Sequence, residues 1–114
     1  MENVIEIRRY INRAGKDVFD GWLSQLADTG VQAKVAIRIN RLAAGNFGDC
    51  KRLRRGLCEL RIDWGPGHRV YYAMLGRGCV LLLCGGDKRK QSSDIERAFE
   101  YLKDYKERAG IHET

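Results

Sequence analysis

The chain has 114 residues and a mass of 13.0 kDa, enough for one domain with its own core. Apolar residues make up 44%, mean hydropathy is −0.45, there is one proline, and no apolar run approaches the about 20 residues of a membrane span. Disordered, fibrous and membrane-spanning classes are therefore excluded as readings. Lysine and arginine number 21 against 15 acidic residues, and the net charge of +6 is local. Residues 51–90 carry a net +7, residues 1–50 a net +1, and residues 91–114 a net −2. A basic zone of this kind fits a polyanion, and equally an acidic protein.

In chain order, Val4 to Tyr10 alternates Ile5 and Ile7 among β-favouring residues and predicts a first strand. Asp17 to Ala27 places Val18, Trp22 and Leu26 at spacing four, an apolar helical stripe. Thr29-Gly30 interrupts, and Val31, Val35, Ile39 and Leu42 line a second helix that ends near Gly45. The short link predicts an antiparallel helical hairpin. Asn46 to Asp49 reads as a turn. Leu57 to Trp64 sets Cys58, Leu60, Ile62 and Trp64 against Glu59, Arg61 and Asp63, a half-buried strand with a polar face. Gly65-Pro66-Gly67 is a tight turn, Arg69 to Leu75 a strand, and Gly76-Arg77-Gly78 the next reversal. Val80 to Leu83 is continuously apolar, as in a strand covered on both faces, and Gly85-Gly86 ends it. Ser93 and Glu96 read as a capping box, opening a last helix with the stripe Ile95, Phe99, Leu102 and Tyr105. The order β-α-α-β-β-β-α predicts a single α+β domain, an antiparallel meander sheet with its helices packed on one face.

The four cysteines form no Cys-x-x-Cys spacing, and the histidines are only His68 and His112. No metal site or disulfide framework is expected. The cysteines read as reduced thiols, and His112, past the last helix, is assigned nothing. The N-terminus shows no charged-then-apolar leader, so a cytoplasmic location is expected.

Several strings together resemble a known family. They are Glu59-Leu60-Arg61-Ile62-Asp63, Gly65-Pro66-Gly67-His68-Arg69-Val70-Tyr71-Tyr72, Leu81-Leu82-Leu83-Cys84-Gly85-Gly86-Asp87-Lys88, and Asp94-Ile95 followed by Ala98. They resemble the RelE/ParE toxin superfamily, in particular its phage Gp49-like, HigB-like addiction module killer branch. The resemblance implies the RelE/ParE-like fold and the toxin of a type II toxin–antitoxin system. It implies a cognate antitoxin, commonly a helix-turn-helix DNA-binding protein, as partner. Many members act on the ribosome as endoribonucleases that cut mRNA without a cofactor. ParE-like members instead poison DNA gyrase, and a non-toxic nucleic-acid-binding relative is a third reading.

Cutting RNA by 2′-OH attack needs proton transfer and cations to hold charge on the phosphorane. Arginine suits the second task because its planar fork grips two phosphate oxygens. Under the resemblance the catalytic candidates are Arg61, Arg69, Lys88 and His68. Arg61 is otherwise a solvated sheet charge, Arg69 a salt-bridge partner of Asp63, and His68 a turn residue. Lys51, Arg52, Arg54 and Arg55 form the densest basic run, and with Tyr71, Arg89 and Lys90 they are the RNA-binding candidates. Strand alternation leaves only one of Tyr71 and Tyr72 able to stack on a base. The chain departs from the nucleases in the last helix, where Ser93-Asp94-Ile95 stands in place of a tyrosine. There Asp94 is a proton acceptor or a helix N-terminal charge. Glu59 stands where some relatives have lysine.

Overall fold

The computed structural model describes residues 4–65 and 67–111. Pro66 of the predicted turn and His112 lie outside them. The elements are β1 (Glu6–Arg9), α1 (Val18–Ser24), α2 (Thr29–Ala43), β2 (Cys50–Arg52), β3 (Leu57–Ile62), β4 (His68–Leu75), β5 (Cys79–Asp87) and α3 (Gln91–Arg108), with a 3₁₀ turn at Lys88–Lys90 before α3. They form an α+β fold with one five-stranded mixed sheet, in the order β1-β5-β4-β3-β2. The predicted meander is there: β3, β4 and β5 pair antiparallel in sequence. β1 joins the β5 edge in parallel. β2 is an additional strand, antiparallel to β3. Its three residues, Cys-Lys-Arg, are all exposed and too few to show an alternation, so the sequence reads there only as a basic run.

The helices do not share one face. Phe19 of α1 and Val31, Val35 and Leu42 of α2 pack with Leu60, Val70, Tyr72, Val80 and Leu82. Ala98 and Leu102 of α3 pack with Leu57, Tyr71, Ala73, Leu81 and Leu83 on the opposite side. The physical reason lies in β3 to β5. β4 and β5 carry apolar side chains toward both faces and β3 is buried on both, so each face needs a cover, and roughly 1.5–3 kcal/mol accompanies burial of each large aliphatic or aromatic side chain.

Local chemistry sets the element ends. The Asp17 carboxylate accepts from the Asp20 N–H at 2.9 Å and starts α1; Asp28 accepts from Gly30 at 2.8 Å and starts α2. The predicted capping box is not formed. Asp87 caps the 3₁₀ turn by accepting from the Arg89 N–H at 2.9 Å, and the chain winds straight into α3 from Lys90. Ser93 thus lies inside the helix, donating to the Lys90 carbonyl at 3.1 Å, and Glu96 pairs with Arg54 at 3.1 Å.

Gly85 and Gly86 do not end β5, which runs on to Asp87. A Cβ on Gly85 would run into the Trp22 indole, and one on Gly86 into the Asp94 carboxyl. The glycines let α1 and α3 close onto opposite faces of the strand. Leu83 is an extra residue in the β4–β5 register, which passes from Tyr71↔Cys84 to Tyr72↔Leu82. That bulge resets which residues of β5 face α3.

Candidate nucleic-acid interface

Arg61 of β3 and Arg69 of β4 are directly paired across the sheet, and Arg69 pairs in turn with Gly86 of β5. Two like charges at one cross-strand site repel. Glu59 resolves this. It is fully buried, at 0% exposure, on the α3 face. Its Oε1 lies 3.3 Å from Arg61 Nε and 3.5 Å from Arg69 Nε, and its Oε2 accepts from Gln91 Nε2 at 2.9 Å. One buried carboxylate thus holds the inner edges of two guanidinium groups. The Arg61 side chain remains 42% exposed and that of Arg69 13%. Arg69 meets Glu59 rather than the Asp63 partner considered from sequence. Glu59 is therefore no solvated residue of a polar strand face. β3 is covered on both sides, and alternation alone could not tell a carboxylate facing α3 from one facing water.

The other candidates fall into groups. Lys88 is exposed and its N–H donates to the Gly67 carbonyl at 3.0 Å. A Cβ on Gly67, which has φ +82°, would touch both Arg69 Nη1 at 3.7 Å and the Lys88 Cβ at 4.0 Å. Arg61, Arg69 and Lys88 thus share one end of the sheet. Lys51 stands opposite Glu59 in the β2–β3 register and joins them from the edge strand. Arg52, one residue on, points to the other face. Arg54 is committed to Glu96 and lies 4.6 Å over the Phe99 ring. Arg55 takes the left-handed φ of +56° and lies beside the outer surface of α3. The dense basic run is thus divided among three directions. Arg89 is exposed and pairs with Asp87 at 2.8 Å, and Lys90 is exposed at the start of α3.

Two candidates require correction. His68 does not join the arginines, because it lies on the α1 face, with its ring 6.4 Å from that of Trp22. Neighbours on a strand point to opposite faces, so Arg69 and His68 are separated by the sheet. Tyr71 offers no stacking surface: it is fully buried under α3, and Tyr72 is buried under the hairpin. The Tyr71 hydroxyl finds no partner among the described residues. Burial, then the nearby Glu59 charge, holds its pKa far above the ordinary phenol value.

Asp94 closes the row Arg61–Arg69–Gly86 from above. It is 5% exposed, its Oδ2 has no hydrogen-bond partner among the described residues, and Arg97 is 3.7 Å from its Oδ1. Burial pushes this carboxyl up from the ordinary Asp value. A desolvated carboxyl beside a cationic fork is a group that can exchange a proton near a bound anion. Gln91, Arg97 and the burial of Glu59 were not legible as site features in the sequence, since all three depend on how α3 crosses the sheet. Among the described residues, no helix is long and apolar enough to cross a membrane.

No family model matches the chain. Over 80 residues it is 51% identical to a protein of Haemophilus influenzae described only as uncharacterized, a match that covers 70% of this chain and 81% of the relative. Identity of that extent leaves no room for a different fold, and the chain belongs to the same family as this Haemophilus influenzae protein.

Proposed function

We propose that the protein is the toxin of a type II toxin–antitoxin pair, of RelE/ParE-like topology, and that it cuts mRNA on the ribosome. The observation that carries this reading is the arginine pair held on buried Glu59, with Lys51 and Lys88 beside it. In the reaction the RNA 2′-OH gives up its proton and attacks the adjacent phosphorus. The P–O5′ bond breaks, the 5′-oxygen takes a proton, and the products are a 2′,3′-cyclic phosphate and a 5′-hydroxyl. Arg61 and Arg69 grip the two non-bridging oxygens as negative charge builds on them. Lys88 adds a third cation at the same end of the sheet. Asp94, the buried carboxyl over Gly86 at the end of the row, serves the proton transfers. The partners in this reading are the translating ribosome, its mRNA, and a cognate helix-turn-helix antitoxin that covers the basic surface, all in the cytoplasm.

The test is induction of the chain without antitoxin, followed by mapping of mRNA 5′ ends in translating cells. New ends within translated codons are expected. Arg61→Ala is expected to lower cleavage by about 100-fold or more, the usual loss when one charge-stabilising donor is removed. Growth arrest with intact mRNA and an SOS response would identify a gyrase poison instead. Absence of any growth effect would favour the non-toxic relative.

A further inference from the structure

A second concavity wraps the edge of β5 near its end, lined from both α1 and α3, and shares Gly86 and Asp94 with the arginine row. The β1–β5 register stops at Arg9↔Leu82, while β5 continues to Asp87. α1 and α3 flank the stretch that β1 leaves uncovered, and the space between them is a groove of about 470 Å³. That is the size class of small-ligand sites. One wall is aromatic: the Trp22 and His68 rings sit with centroids 6.4 Å apart and planes at 54°. The indole rests on Gly85, where no side chain would fit. The rim carries three cations, Arg89, Lys90 and Arg97, against the one carboxylate of Asp87, which pairs with Arg89 at 2.8 Å. Two residues that line the groove carry buried polar atoms without hydrogen-bond partners among the described residues, His68 Nδ1 and Asp94 Oδ2. The Asp94 side chain is only 6% exposed. Buried polar atoms are normally satisfied, so this lining is chemically incomplete by itself.

We propose that this groove binds one nucleotide of single-stranded RNA, with the base on the Trp22–His68 wall and a phosphate at the Arg89–Lys90–Arg97 rim. Aromatic platforms bordered by cations hold single-stranded nucleic acid through stacking and phosphate contacts. The proposal rests on the RNA-cutting reading, and geometry links the two sites. His68 and Arg69 are consecutive and face opposite sides of the sheet, and the 3₁₀ turn carrying Lys88 and Arg89 joins their ends. An RNA strand passing around that end meets the arginine pair with one phosphate and the groove with a neighbouring nucleotide. His68 then belongs to substrate positioning rather than to the reacting phosphate.

The experiment uses the full chain carrying Trp64→Phe, which leaves Trp22 as the remaining tryptophan. Trp64 lies outside the groove, with its Nε1 donating to Asp28 at 3.3 Å. Trp22 fluorescence is titrated with a short single-stranded RNA, with inorganic phosphate and with an acidic peptide as separate probes. Saturable quenching by RNA is expected, weakening with salt, and roughly tenfold weaker in the exposed-surface double variant Arg89→Ala/Arg97→Ala. Circular dichroism on the same samples checks that the variant is folded. RNA that leaves Trp22 unquenched while the protein still cleaves mRNA would overturn the groove and keep the nuclease reading. Quenching that needs Arg89 and Arg97 in a chain that cleaves nothing would keep the groove and sink the nuclease reading. Quenching by the acidic peptide alone, or RNA quenching indifferent to the double variant, would also overturn the proposal.

Discussion

Glu59, Arg69 and Asp94 are the residues whose environments differ most from what their types suggest. A carboxylate at 0% exposure is tolerable only because Arg61, Arg69 and Gln91 meet it. Removing Arg69, itself mostly buried, leaves that charge with its more exposed partner. Arg69→Ala is expected to cost roughly 3 kcal/mol in urea unfolding, whereas Arg61→Ala, at a solvent-screened site, costs less than about 1 kcal/mol. For that reason Arg61→Ala is the cleaner activity probe. Asp94 runs the other way. Its pKa is raised in the fold, so its protonated form is the favoured one there, and stability is lost as pH rises through the folded value. Asp94→Asn should therefore raise Tm at pH 7, and the gain should shrink toward zero as pH falls below the ordinary carboxylate range. The same variant should lower RNA cleavage, a gain in stability set against function. An unchanged Tm at pH 7 would count against the burial argument.

At the scale of elements, the sheet and α3 decide what the sequence leaves open. The Gly85-Gly86 pair looks like a strand end but is a contact surface, one glycine under Trp22 and the next under Asp94. Gly85→Ala and Gly86→Ala are each expected to destabilise by about 1–3 kcal/mol, the usual cost of overpacking, because an indole and a buried carboxyl must move. Thermal unfolding measures this, and the companion change Gly78→Ala is the control, since a Cβ there meets nothing within 4 Å. The helices α1 and α2 were legible because their apolar stripes are local features. β2 was not legible, since three exposed residues become a strand only by pairing with β3. The start of α3 was misplaced because Asp87 caps a preceding 3₁₀ turn, which moves the helix ahead of Ser93.

The described elements form three layers, and a polar clasp ties the segment just after the first strand to the last helix. Asp104 of α3 accepts from the Tyr10 hydroxyl at 2.6 Å, from Arg13 Nε at 2.8 Å and from Arg108 Nη2 at 2.7 Å. Arg108 also donates to the Ile11 carbonyl. The Tyr10 hydrogen bond, then those of Arg108 and Arg13, hold the Asp104 carboxyl below the ordinary carboxylate range. Its contribution to stability is present above that range and is lost as pH falls through the lower folded value. Asp104→Asn should lower Tm at pH 7, with wild type and variant converging in acid once the pH has fallen through the lowered folded value. A Tm difference that persists undiminished at pH 2 would show that the clasp acts by packing rather than by charge.

The sequence by itself determined the α+β class, the meander and the two helices that precede it, because apolar spacing and turn chemistry act within a few residues. It also marked residues 51–90 as the basic zone, where Arg61, Arg69 and Lys88 stand. Only the tertiary structure decided that α3 covers the second face, that Glu59 lies beneath two arginines, and that His68 and Tyr71 leave the reacting surface. These outcomes depend on register and on which face a distant helix occupies. A strand's alternation shows that two sets of side chains face opposite ways, and the fold then decides which set meets water and which meets a helix.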